Sequence, residues 1–395
     1  MKKIKVFLRL GKRPHVGYYD LIDYPPKGII YKYNEILRSS EQKVSFIHKL
    51  KVKLWLRYTK KRPPIIKINP HGCDVIHSTN NLMNSGKTPW VMDVEHIEGL
   101  FGMDCSNIKK KSYFSKVKKV LSSKYCKKLM PYTIASKLSI LNGGLMELNP
   151  KMEVVYPAKV SIPNFNKKIN RVPIILWVGR RFWEKGGDTV LKVFDKIDGK
   201  INFKLIMKGP VPEELKKIYQ GNKSIEFSDT QEYTNYNWRD LYKNADILLY
   251  PTNLDSLGNA FFDAMNYKVP IVTNDIFSAP EIVENGMNGF VVNHPMKWHD
   301  ENFQPLYLPG EYIERLKSFH NERYISELAK KVIVLIKNPS LRKKMGEAGY
   351  KEISDGKFSI KKRNEKLERI YREAAEKESS FNLFKKIKKF LRNKD

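Results

Sequence analysis

Residues 245–275 read ADILLYPTNLDSLGNAFFDAMNYKVPIVTND. Two short apolar runs, DILLYPT and PIVTND, enclose a segment of helical pattern, NAFFDAMNY. Strand, helix, strand in that order is a βαβ unit, whose strands lie parallel in one sheet. Two carboxylates, Asp255 and Asp263, stand eight positions apart around the start of the helix near Gly258. The chain carries 73 Lys and Arg against 42 Asp and Glu, a net charge of +31, so acidic side chains here need a reason. Ligands bind doubly wound sheets beyond the carboxyl ends of the strands. The first amides of a helix at such a place offer an anion site.

The same alternation extends in both directions and runs twice. IKVFLRL, DVIHST, PWVMDVEH, KLMPYTIAS and MEVVYP read as strands of the first half, with SYFSKVKKVLSSKYCKK helical among them. PIILWVG, FKLIMKG, SIEFSD, DILLYPT, PIVTND and GFVV alternate with helical segments in the second. Two rounds of alternation in 395 residues predict two doubly wound α/β domains rather than one large sheet. YPAKVSIPNFNKKINRVP, with three prolines and little periodicity, is the linker candidate.

Composition narrows the class. At 41% apolar and 12% aromatic residues the chain can bury cores and is not a disordered polycation. No apolar run approaches the roughly 20 residues that span a bilayer. The amino-terminal MKKIKVFLRL has too short an apolar part for a signal peptide and reads as a first strand. Cys73, Cys105 and Cys126 are scattered and form no C-x-x-C, which points to a reducing, cytoplasmic compartment without disulfides. The basic surplus suits anionic lipid or phosphorylated substrates; no specific nucleic-acid partner is expected. HGCDVIH invites a metal reading through His71, Cys73 and His77. A strand alternates its side chains and no fourth ligand follows, so no metal site is expected.

The strand ends supply the candidates. PIILWVG is followed by GRRFWEKGGD. Arg180 there can hold a phosphate bidentately and Lys185 can act as a point charge, an ordinary surface loop being the alternative. The amides of Gly258, Asn259 and Ala260 are expected to face the cleft. Ser278 and Glu281 fit a capping box, S-x-x-E, which competes with any ligand role for Glu281.

Four ordered blocks, VGRRFWEKGGDTVLKVF, LIMKGP, LYKNADILLYPTNLDSLGNAFFDAM and VPIVTNDIFSAPEIVENGMNGFVV, resemble the donor-binding domain of family 4 retaining glycosyltransferases, over about residues 172–375. The resemblance implies the GT-B fold, two doubly wound Rossmann-like domains facing across a cleft. With it the chain is expected to divide into an acceptor-side domain at 1–165, a nucleotide-sugar domain at 166–355 and a return helix at 356–377 packing toward the first domain; the basic amphipathic tail at 378–395 has no family counterpart and is read from its own residues. The resemblance implies that Arg180 and Lys185 grip the donor diphosphate. Asp255 then lies by the transferred sugar and phosphates and Asp263 on the nucleotide ribose, where the family carries glutamates. PWVMDVEHIEG resembles the family strand ending in a histidine, which places His96 in the cleft near the sugar. Lys268 stands where the family usually has Gly at a helix end, so a left-handed cap there costs about 1 kcal/mol or more.

These readings predict a glycosyltransferase with a nucleotide diphosphate-sugar as donor substrate, no cofactor, and a glycan or lipid-linked acceptor. The alternative is a non-catalytic polyanion-binding protein that keeps the fold. HPMKWHDENFQPLYLPGEYIERLKSFHNE has no family counterpart and reads as a surface elaboration, with substrate contact the alternative. In the tail, Leu383, Ile387, Phe390 and Leu391 share a helical face opposite lysines, the pattern of an interfacial helix on an anionic membrane.

Overall fold

The computed structural model describes residues 3–376 apart from 13, 15, 37–45, 80 and 229–237, so the expected tail helix lies outside the described residues. The first half contains strands β1 (Ile4–Arg9), β2 (Ile29–Tyr33), β3 (Ile65–Ile66), β4 (Val75–Ser78), β5 (Met83–Asn84), β6 (Trp90–Val94) and β7 (Cys126–Pro131). Its helices are α1 (Val16–Asp23), α2 (Phe46–Thr59), α3 (Ile97–Leu100), α4 (Lys111–Ser122) and α5 (Ile134–Ile140). Five of the strands form one parallel sheet in the order β2-β1-β4-β6-β7, and β3 pairs with β5. The second half runs β8 (Ile174–Val178), α6 (Gly187–Ile197), β9 (Lys204–Lys208), α7 (Glu213–Ile218), β10 (Ile225–Ser228), α8 (Trp238–Asn244), β11 (Ile247–Leu249), α9 (Asn259–Asn266), β12 (Ile271–Asn274), α10 (Ala279–Ile282) and β13 (Gly289–Val292). Helices α11 (Pro309–Lys317), α12 (Glu322–Lys337), α13 (Pro339–Ser354) and α14 (Ile360–Ala375) complete it. These six strands are also parallel, in the order β10-β9-β8-β11-β12-β13.

In the central strands nearly every side chain is buried, as in β6 and β11, because helices cover both faces of a parallel sheet. That is why they read as continuous apolar runs and not as alternations. Helices α12, α13 and α14 each begin on a side-chain cap, from Asn321, Asn338 and Ser359. The last helix crosses back: Leu367, Ile370 and Tyr371 of α14 join Val6, Leu8, Val75 and Val91 in the core of the first sheet.

Three expectations change. MEVVYP forms no strand and makes only a bridge between Met152 and Leu129, because the chain turns there into the linker. IIYKY, half-exposed at the sheet edge, is a strand that apolar runs did not reveal. The segment between β13 and α12 is no surface elaboration. Trp298, Tyr312 and Leu316 are buried in a cluster with Phe277 and with Ala135 of α5, so the segment reaches the first half. There Gln304 Nε2 donates to Ser139 O at 2.9 Å and Asn142 Nδ2 to Asn302 O at 3.3 Å.

Candidate functional site

The loop after β8 and the loop after β11 are stitched together by backbone. Asn253 and Leu254 amides donate to Glu184 O at 2.8 and 2.9 Å, and Asn253 Nδ2 donates to Trp183 O at 2.7 Å. Gly186, at φ +67°, makes this possible, since a Cβ there would stand 1.9 Å from Pro251 O. The stitching delivers Lys185 to Asp255: Nζ lies 2.6 Å from Oδ2 and 3.0 Å from Leu254 O. The other carboxylate oxygen accepts from the Gly258 amide at 2.9 Å. Asp255 therefore holds a cation and the start of α9 at once, and the Tyr250 hydroxyl donates to it at 3.2 Å. Burial pushes the Tyr250 phenol well above its usual range, with the Asp255 charge adding to the shift. Gly258, also left-handed at φ +70°, turns the chain into α9.

Lys185 and Asp255, expected as separate contacts, thus meet each other. The Gly258 amide is taken by Asp255, which corrects the reading of three amides open to the cleft. Arg180 is exposed and makes no hydrogen bond or ion pair among the described residues, while Arg181 lies 3.8 Å from Glu184. Asn259 and Ala260 are half-buried at the first turn of α9.

Asp263 sits a turn further along, where Lys159 Nζ of the linker lies 3.0 Å from its Oδ1. Asn266 continues that face, donating to Val160 O at 2.8 Å and accepting from the Ile162 amide at 3.0 Å. Asp263 is therefore paired with the linker. Asp20 of α1 belongs to the same charged group. Burial raises its carboxyl above the usual range, Lys159 and Arg363 oppose the shift, and Asp263 adds to it.

His96 follows β6 and is buried, its ring centroid 6.3 Å from Phe277 and 6.1 Å from Trp298, both edge-on. Its Nδ1 is 3.6 Å from Glu98 Oε2, too long for a hydrogen bond. Burial holds the Glu98 carboxyl above its usual range, partly offset by His96. The amide after His96, that of Ile97, donates to Ser139 Oγ at 3.2 Å, and Ser139 O is the acceptor of Gln304. The segment before α12 therefore packs on His96 directly and holds it through Ser139.

Between α1 and α9 lies a cavity of about 210 Å³. Asp93, Glu95, Tyr18, Tyr132 and Tyr156 line it beside Asn259, Phe262 and Lys159. Tyr18 OH donates to Asp93 Oδ2 at 2.9 Å, and His77 Nε2 lies 2.9 Å from the same oxygen. Ser256 Oγ, next to Asp255, donates to Glu95 Oε1 at 2.5 Å across the cleft. The sequence reading missed Asp93 and Glu95, although they lie in PWVMDVEH just before His96. Glu281 makes no capping box, for Ser278 Oγ donates to Ser256 O instead. Its carboxylate caps α5 of the other half, accepting from the Ile134 amide at 2.7 Å and from Tyr156 OH at 2.5 Å. His71 is exposed and packs on Phe7, His77 is buried on Asp93, and the described residues hold no cluster of three or more groups able to bind a metal.

Residues 161–301 match the family described as Glycosyl transferases group 1. An uncharacterised 41.2 kDa protein in the cps region of Klebsiella pneumoniae is 32% identical over 133 residues, 32% of this chain and 33% of that protein. The capsular polysaccharide biosynthesis glycosyltransferase CapM of Staphylococcus aureus is 27% identical over 218 residues, 52% of this chain and 48% of CapM. The chain thus spans between a third and a half of the length of these curated relatives. The structure of Anabaena HepE in complex with UDP-glucose superposes with a TM-score of 0.58 at 12% identity, covering 93% of this chain and 98% of HepE. The fold is GT-B, and residues 161–301 carry the likeness to the glycosyl transferases group 1 domain.

Proposed function

We propose that this protein transfers a sugar from a nucleotide diphosphate-sugar to a hydroxyl of a glycan or lipid-linked acceptor, with retention of configuration. The observation that carries the reading is the meeting of Lys185 with Asp255 at the start of α9, whose Asn259 and Phe262 form one wall of a cavity between the two sheets. Arg180, already free, and Lys185, released from Asp255, would take the diphosphate as negative charge develops on the leaving oxygen. The Asn259 and Ala260 amides and the helix dipole add to that field. Asp263 would accept from the ribose hydroxyls, exchanging Lys159 for them. His96 would contact the sugar.

The acceptor belongs in the cavity on the other side. Carboxylates at Asp93 and Glu95, phenols at Tyr18, Tyr132 and Tyr156, and the ring of Phe262 suit a polyhydroxylated ring, with hydrogen-bond acceptors for hydroxyls and apolar faces for its C–H groups. In the step itself the bond from the anomeric carbon to the phosphate oxygen breaks, and the acceptor oxygen bonds to that carbon on the same face. The acceptor proton passes to the departing phosphate. CapM, a relative named for capsular polysaccharide biosynthesis, supports a surface glycan as acceptor, and HepE, solved with UDP-glucose, supports a uridine nucleotide as the first donor to try. A cytoplasmic enzyme held peripherally at the membrane by residues 381–395 fits the same reading. Among the described residues no helix is long and apolar enough to cross a membrane.

A thermal-shift screen of nucleotide sugars tests the proposal, because a ligand present at 100 times its Kd stabilises by roughly 2.7 kcal/mol. The stabilising sugar nucleotide is then incubated with the protein. Release of free sugar and nucleoside diphosphate supports transferase chemistry. Binding of polyanions with neither stabilisation nor turnover by any sugar nucleotide would favour the non-catalytic alternative.

A further inference from the structure

Helix α2 differs from every other long helix of the fold in what covers it. From Leu50 to Tyr58 each residue is exposed, on all sides of the helix. Leu50, Val52, Leu54, Trp55, Leu56 and Tyr58 are between 38% and 54% exposed. A scattered exposed Leu needs no explanation, but six large apolar side chains within nine residues form a patch. The helix is held at its carboxyl end only, among the contacts seen for residues 50–59. Thr59 is buried there, and the Tyr113 hydroxyl of α4 donates to Thr59 O at 2.9 Å. Met103, 54% exposed, lies on the loop that packs against Thr59 at Gly102.

Charge identifies the partner. Residues 50–62 contain Lys51, Lys53, Arg57, Lys60, Lys61 and Arg62 and no acidic residue, and all six cations are exposed. The neighbouring start of α4 adds exposed Lys109, Lys110 and Lys111. Lys53 and Arg57, four apart, share one side of α2, while the apolar residues occupy most of the remaining circumference around Lys51. The Trp55 and Tyr58 rings stack at 5.4 Å, and Arg62 lies 5.9 Å from the Tyr58 centroid. Aromatic rings with one apolar and one polar end, beside cations on long stems, suit the boundary between headgroups and acyl chains. A helix of 14 residues, about 21 Å, is too short to cross a bilayer but can lie in its surface. A second copy of the chain would bring the same cations against themselves, which the +31 net charge opposes.

We propose that α2, with Met103 and the start of α4, is a membrane-docking surface that inserts its apolar side chains among anionic phospholipids. This deepens the peripheral-membrane part of the function proposed above by naming a second contact within the fold, and it does not rest on sugar transfer.

The test uses the full chain, parent and Leu54→Glu/Trp55→Glu, in co-sedimentation with vesicles of equimolar phosphatidylcholine and phosphatidylglycerol. The double variant is expected to partition at least about tenfold more weakly, and the parent to bind pure phosphatidylcholine more weakly and to lose affinity with added salt. In the parent, brominated acyl chains are expected to quench a part of the tryptophan emission that is lacking in Trp55→Phe. Equal partitioning of parent and double variant would assign membrane binding elsewhere and overturn the proposal. So would equal bromolipid quenching of parent and Trp55→Phe, or a parent dimer that Trp55→Glu converts to monomer. Both variants should keep the parent melting temperature and donor hydrolysis. Loss of vesicle binding with intact hydrolysis separates this surface from the transfer reaction, and absent hydrolysis in every variant would count against the transferase reading alone.

Discussion

Asp255→Asn is the substitution that separates the two duties of this side chain. Asn can keep its Oδ1 on the Gly258 amide, and Asn caps a helix about as well as Asp, so that part of the change is close to neutral. What is lost is the charge 2.6 Å from Lys185, in a pair whose side chains are 21% and 16% exposed. A charge-assisted bond contributes about 1.5–3 kcal/mol and an exposed pair at most about 1. At this exposure we expect a stability loss of about 1–2 kcal/mol. Ligand binding should move the other way. In the parent an arriving diphosphate must draw Lys185 from a carboxylate and then lie near that carboxylate. In Asp255→Asn neither cost remains, so affinity for the nucleoside diphosphate should hold or rise, up to about tenfold, which is about 1.4 kcal/mol. Transfer should slow, because the proposed function puts Asp255 beside the sugar. Lys185→Ala does the opposite on binding: it removes the phosphate contact and leaves the carboxylate unpaired beside it. That should cost on the order of 2–4 kcal/mol in the transition state. Calorimetric titration of both single variants and the double variant completes the cycle. A coupling above about 1 kcal/mol is expected for groups in contact. Zero coupling, or Asp255→Asn weakening nucleotide binding as much as Lys185→Ala does, would refute the reasoning.

Arg180→Ala should leave the melting temperature unchanged, since its side chain is exposed and unpaired, and slow transfer by on the order of 10²-fold or more in kcat; unchanged turnover would remove Arg180 from the diphosphate site. Asp263→Asn should lower donor affinity at least about tenfold, with Lys159→Met as the control that breaks the same linker pair but spares the ribose contact; equal losses in both variants would mean that the pair is structural. Glu281→Gln should cost about 0.5–2 kcal/mol of stability, because it weakens a cap on α5 donated by the other half of the chain, and a change below the error of chemical denaturation would contradict that role. His294 is held neutral with its pKa lowered to about 4, burial being the main cause; its Nδ1 accepts from the Met296 amide at 3.0 Å while Nε2 faces Asn253 Oδ1 at 2.8 Å. Its folded pKa lies below the unfolded 6.5, so its contribution is complete above about pH 6.5 and is lost as pH falls toward 4, amounting to about 3 kcal/mol at most; urea denaturation of parent and His294→Gln at pH 7 and pH 4.5 should show a smaller acid loss in the variant.

What could be read from the sequence follows from range. The parallel strands are buried on both faces, and their apolar runs show it directly; the glycines and cations after β8 mark a loop that must approach something. Lys268 was readable as an anomaly, and it does adopt φ +55°, offset by Glu347 at 3.1 Å and by the Tyr350 ring at 5.0 Å. The contacts between halves could not be read that way. Glu281 lies in a pattern that satisfies a local capping rule, yet its carboxylate serves amides 147 and 146 positions away. Nothing in the spacing of SAPEIVENG separates these outcomes, because the competing acceptor site exists only after both sheets have formed. The segment before α12 was misread for a related reason. Trp298 and Tyr312 are spaced neither as a strand nor as a helix face, and their apolar partners Phe277 and Ala135 come from elsewhere in the chain.

The interdomain contacts bear on how a donor reaches the site. Glu281 on α5, Gln304 on Ser139 and Ser256 on Glu95 hold the two halves together, and the Lys159–Asp263 pair ties the linker to α9. Two of these four, those of Ser256 and Asp263, flank the first turn of α9, where the proposed function would put nucleotide and sugar. An acceptor hydroxyl that takes the place of Ser256 at Glu95 exchanges one hydrogen bond for another, and a ribose that takes the place of Lys159 at Asp263 does the same. On the proposed function, ligand entry would loosen these two contacts, while the contacts of Glu281 with α5 and of Gln304 with Ser139 could remain closed. On the proposed function, closure and recognition would draw on the same carboxylates, Glu95 and Asp263, which gives a physical reason for acidic side chains to stand around α9 in a chain this basic.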